Sequence, residues 1–181
     1  MLRRGCLILL VALAFVGCDD DSPTGPDDPN VVVFTAQLSA ANEVPPITNA
    51  EANARGDVRI TFNLTRDSSN NVTGGTATFV VNLNSFPAGS TWTLAHIHEG
   101  ATGATGSIRV DTALSPATAI VLTNGSVTNH TFADRPIVNA QGQPDPALIN
   151  AIINNPAGFY FNVHTALNPT GAVRGQLVME D

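Results

Sequence analysis

The chain has 181 residues, 43% of them hydrophobic and 13% charged, which is the size of one compact domain plus a tail and too short for two large domains. All eight cationic side chains are Arg, against 15 Asp and Glu, and the net charge of −7 leaves no basic patch of the kind that DNA or RNA binding requires. A charge fraction this low also excludes a disordered polyelectrolyte.

The chain opens with an address. Arg3 and Arg4 precede an apolar run at residues 7–16, which is too short to span a bilayer as an ordinary transmembrane helix. Gly17 and Cys18 follow, then Asp19, Asp20 and Asp21, and the whole reads as a secretory signal. Its end resembles the bacterial lipobox, in which the cysteine becomes the acylated N-terminus; Phe15 stands where Leu is usual. The expectation is a signal at residues 1–17, an acidic proline-rich tether at 18–30 and a domain at 31–181. That places the domain in the bacterial cell envelope, at the periplasmic or outer surface, with the membrane as its first partner. Residues 19–29 hold five carboxylates and three prolines, the composition of a solvated, extended spacer. Cys6 leaves with the signal and Cys18 takes the lipid, so the domain folds without a disulfide and depends on packing.

From Val31 onward the hydrophobic period is two. Val58, Ile60, Phe62 and Leu64 alternate with Asp57, Arg59, Thr61 and Asn63, and after a turn cluster at 67–71 the alternation resumes with Ala77, Phe79, Val81 and Leu83. Further strands are predicted at 31–38, 91–98, 107–112, 118–123, 126–132, 159–165 and 172–179. One segment has the helical period instead. Asp145 caps it, Pro146 occupies its first turn, and Leu148, Ile149, Ile152 and Ile153 form its apolar face. Many short strands with Gly, Pro and Asn turns and one short helix predict an all-β fold, an antiparallel Greek-key sandwich or barrel.

Three of the four histidines fall in two tight contexts, AHIHEG at 95–100 and NVHT at 162–165. Residues two apart on a strand share a face, so His96 and His98 project together, away from Ala95 and Ile97. Phe159, Phe161 and Val163 are the core set of the second strand, which puts Tyr160, Asn162 and His164 outside. Val173, Leu177 and Met179 are expected in the core of the last strand, and Arg174 and Gln176 on the histidine side. By the same parity Trp92 and Leu94 lie on the histidine face, which is then roofed by a loop; the glycine-rich segment 100–106 is the candidate. Arg174 is expected to pair with a carboxylate, Glu43 first and Glu99 second. No nucleophile–base context, paired-carboxylate motif or dinucleotide fingerprint occurs, so no complete catalytic motif is present in the sequence.

Phe34-Thr-Ala-Gln-Leu38, Glu43-Val-Pro-Pro46, AHIHEG, NVHT and the run Asn168-Pro-x-Gly171-x-x-Arg174-Gly-Gln176 together resemble the CHRD (chordin) domain family, across nearly all of residues 31–179. Members occur as repeats in the animal BMP antagonist chordin and singly in many secreted bacterial proteins. The resemblance implies an immunoglobulin-like or superoxide-dismutase-like barrel and brings no established catalytic activity. The H-x-H is similar to the copper-binding strand of copper/zinc dismutases, whereas the dismutase disulfide and zinc-site residues have no counterpart. Two readings of His96, His98 and His164 stay open. They bind copper or zinc with an open position completed by water, His130 or Glu99, losing the ion below roughly pH 6 as imidazoles protonate, or they hydrogen-bond the loop backbone and hold the roof. The functional expectation is a lipid-anchored binding or scaffolding module for an extracytoplasmic protein or small ligand, with a three-histidine metalloprotein as the alternative.

Overall fold

A computed structural model describes residues 28–180; the signal, Cys18 and most of the tether lie outside the described residues. The expected all-β architecture is present. Strands β1 (Val31–Ser39), β2 (Arg55–Arg66), β3 (Val72–Asn84), β4 (Ser90–Glu99), β5 (Ile108–Asp111), β6 (Ile120–Leu122), β7 (Val127–Pro136), β8 (Phe159–Thr165), β9 (Val173–Gln176) and β10 (Val178–Met179) form one sheet, and α1 (Pro146–Asn154) is the helix. The strand order is β5-β4-β8-β9-β1-β2-β3-β7, with β10 on β1 and β6 on β4, and every pairing is antiparallel. The two ends of the order, β5 and β7, approach each other, so the sheet curls into a nearly closed barrel.

Period-two alternation fills the barrel. Val58, Ile60 and Phe62 of β2 stand opposite Val81, Phe79 and Ala77 of β3, and all six are buried. The β2–β3 turn is built by Asp67, whose Oδ1 accepts from the backbone of Ser69 and Asn71, each at 2.9 Å. The helix starts where its cap residue places it: Asp145 Oδ1 accepts from Leu148 N at 2.9 Å, and Leu148, Ile149 and Ile152 are buried against β3. Among the described residues no helix is long and apolar enough to cross a membrane.

Two expectations fail at strand irregularities. Trp92 faces the core, not the histidines, because the β4–β8 register slips between Trp92 and Leu94. Thr93 is the extra residue of a bulge, and one extra residue inverts the parity of everything before it. The last strand is broken at Leu177, whose N–H turns to Phe159 O at 3.0 Å. Beyond the break Met179 is 42% exposed and does not join the core.

Candidate functional site

Strands β4, β8 and β9 are neighbours in the sheet, although β8 begins sixty residues after β4 ends. Their outer side chains form a grid. His96, Asn162 and Arg174 stand in one row, His98, Tyr160 and Gln176 in the next, and Leu94 and His164 in a third. All seven residues of β8 are buried: the inner side chains by the barrel core, the outer ones by loops. A sheet face covered by loops instead of water is what allows polar groups to gather there with their charges suppressed.

Three loops make the roof. Segment 100–106, the expected cover, takes a hydrogen bond at Gly106 O from His98 Nδ1 (3.0 Å) and at Ala104 O from Arg174 Nη1 (2.8 Å). The turn after β1 takes Arg174 Nε at Asn42 O (2.7 Å). The loop 166–171 takes His164 Nδ1 at Pro169 O (3.1 Å). That last loop is held by Glu51, which the sequence patterns did not single out. Glu51 is 1% exposed, and its Oε2 accepts from Thr165 Oγ1 at 2.7 Å and Asn168 Nδ2 at 2.6 Å.

Arg174 is 2% exposed, as expected, but the Glu43–Arg174 ion pair is not formed among the described residues. Its fork is engaged by loop carbonyls, its guanidinium carbon lies 4.6 Å from the Tyr160 ring centre, and Glu99 pairs with Arg109 at 3.3 Å. Side-chain complementarity suggested a carboxylate; the partners are backbone oxygens, which carry no sequence signature. The His98 ring also stacks on Tyr160, at 5.1 Å and 10°. Glu43 is buried beside Arg174; loss of hydration raises its carboxyl from 4.5 to about 7 and the nearby guanidinium limits the rise.

The structure brings His96, His98 and His164 together. One ring nitrogen from each lies within 4.8 Å of the others, and His96 Nδ1 is 3.3 Å from His164 Nε2. Two ligands on one tetrahedral ion stand about 3.3 Å apart. His130 is elsewhere, against Trp92 and Phe132. Burial lowers all three imidazoles below 6.5. For His96 burial leads, Asp111 pulls the other way, and the two neighbouring imidazoles push further down, to about 4. Lowered in this way, all three rings favour the neutral form at pH 7.

Their hydrogen bonds then fix the lone pairs. A carbonyl only accepts, so His98 Nδ1 and His164 Nδ1 carry the protons and each Nε2 keeps a lone pair. His98 Nε2 is buried without a hydrogen-bond partner among the described residues. His96 Nδ1 lies 3.3 Å from His164 Nε2, and its Nε2 lies 3.6 Å from the exposed Asp111 Oδ1; as the Nδ1–H tautomer it donates to His164, and as the Nε2–H tautomer it adds a lone pair beside that of His164.

The sequence model of the CHRD domain matches residues 34–177. The chain belongs to the CHRD domain family. No curated protein and no solved structure matches it. The match takes in every strand and loop of the histidine face, so in this CHRD domain the candidate site is part of the shared fold region and not an appendage. The AHIHEG and NVHT segments are the neighbouring strands β4 and β8, and the Asn168–Gln176 segment supplies both the third loop and Arg174.

Proposed function

We propose that this CHRD domain is an extracytoplasmic binding module, tethered to an envelope membrane through acylated Cys18, whose roofed face takes a copper or zinc ion on His96, His98 and His164. The observation that carries the reading is the convergence of one nitrogen from each of three buried histidines within 4.8 Å, with His98 Nε2 left without a partner among the described residues. A cation fits that arrangement: with the proton of His96 on Nε2, on the Asp111 side, Nδ1 gives its lone pair to the ion, as His98 Nε2 and His164 Nε2 do. Each ligand is then oriented through its other nitrogen by an oxygen acceptor, the arrangement that fixes ring position and raises ligand basicity at metal sites. Three neutral imidazoles are a borderline donor set suited to Cu(II) and Zn(II), with Cu(II) the tighter by intrinsic order.

Metal-free protein titrated with Cu(II) or Zn(II) in a calorimeter is expected to take one ion per chain at this site. Saturation at a hundredfold excess over Kd stabilises the fold by about 2.7 kcal/mol, which raises the Tm of a domain of this size by roughly 5–10 °C. A chain that takes up neither ion, or whose His164→Ala variant binds as tightly as wild type, overturns the reading.

A further inference from the structure

The three imidazoles account for one of three buried acceptors under the roof. His98 Nε2, Asn162 Oδ1 and Glu43 Oε1 all lack hydrogen-bond partners among the described residues. Asn162 stands at the centre of the grid, opposite His96 on one side and Arg174 on the other, two residues before His164. Glu43 reaches over Gly171 towards it. A Cβ at Gly171 would lie 2.7 Å from Glu43 Oε2 and 2.8 Å from Asn162 Nδ2, so the glycine keeps open the space between the two groups. Nδ2 is the amide atom on the Gly171 side, and Oδ1 is the one left without a partner.

Building on the metal reading above, we infer that the fourth position of the ion holds a water molecule gripped by Asn162 and Glu43. A bound ion satisfies His98 Nε2 and leaves two acceptors, Asn162 Oδ1 and Glu43 Oε1, which a single water donating both hydrogens satisfies. A neutral ligand with O–H or N–H donors is matched, and metal coordination makes its protons stronger donors. Neither Glu99, paired with Arg109, nor His130, at the Trp92 end of the barrel, competes for the position. The site is thus built for an exchangeable protic ligand.

The test is pulsed EPR of the full chain loaded with Cu(II), compared in H2O and D2O. Wild type is expected to show nitrogen couplings from three imidazoles and strongly coupled exchangeable protons from one water. Asn162→Leu and Glu43→Leu are expected to lose or weaken the proton couplings, and Asn162→Asp, which keeps an acceptor, to retain them. Three-imidazole nitrogen couplings without the exchangeable protons overturn the water position and leave the metal reading standing; absence of the nitrogen pattern overturns the metal reading itself. If the leucine variants do not fold, Asn162→Ala and Glu43→Ala, which also lack the acceptor, report in their place. Proton couplings identical to wild type in every folded variant that lacks the acceptor overturn the role of the two residues.

Discussion

Removing water from His96 and from Glu43 drives their proton affinities in opposite directions, and the stability of the metal-free domain carries both signs. His96 falls from 6.5 to about 4 on folding. The unfolded chain therefore binds the extra proton between those values, and stability is lost as pH falls from 6.5 to about 4, by roughly 3 kcal/mol when complete. His98 and His164 act in the same direction. Glu43 rises from 4.5 to about 7, so its contribution is intact below 4.5 and lost as pH climbs to about 7. Three imidazoles outweigh one carboxyl, and metal-free protein is expected to be less stable at pH 4.5 than at pH 7.5. Glu43→Gln removes the opposing group and steepens that difference, with the gain at neutral pH. Denaturant unfolding at the two pH values checks both statements, and a variant with the wild-type difference contradicts them. For the loaded protein the same burial moves proton competition below the pH of about 6 expected for free imidazoles, so ion release shifts towards the acid end of that window.

Within the elements, the roof depends on one fork. Arg174 ties the turn after β1 to segment 100–106 through two carbonyls, and its planar donors cannot be reproduced by a single ammonium. Arg174→Lys is expected to cost about 3 kcal/mol in unfolding free energy, from two hydrogen bonds made by a charged group, and to weaken metal uptake as Tyr160 and His98 lose their support. Arg174→Ala with wild-type stability would show the guanidinium to be free for a ligand instead. Strand parity made much of this legible in advance. The alternation in β2 and β3, the Asp145-Pro146 helix start and the shared side of His96 and His98 are local regularities, and they appear where the residues place them. The bulge at Thr93 was not legible, since a threonine in a strand gives no sign of an inserted residue, and so Trp92 was assigned to the wrong face. The Arg174 carbonyl partners and the Glu51–Thr165–Asn168 bonds were equally hidden, because backbone acceptors and long-range loop contacts depend on how distant segments meet.

For the molecule as a whole, the charge is unevenly placed. After the expected cleavage before Cys18 the chain carries six Arg against 15 acids, a net charge of −9, and five of those acids lie in residues 19–29. In the anchoring proposed above, these residues would serve as the spacer between membrane and barrel, for which their proline and charge content is suited. Cys18→Ser is expected to abolish acyl labelling and to move the protein from the membrane fraction to the soluble one, since stable anchoring needs more than one acyl chain and the lipoprotein N-terminus supplies them. Unchanged partitioning, together with no acyl mass on wild type, contradicts the anchor.

The sequence distance between β4 and β8 also sets a schedule. A chain synthesised and exported from its N-terminus delivers His96 and His98 first, sixty-six residues before His164, and Arg174 later still. Until β8 slots in beside β4 and β9 closes on β1, the H-x-H is a two-nitrogen chelate on an unpaired strand edge, with neither the third imidazole nor the roof. Under the export and metal binding proposed above, ion selection would wait for the compartment in which the last strands fold, and the metal would reflect the supply on that side of the membrane, not in the cell interior where the chain is made.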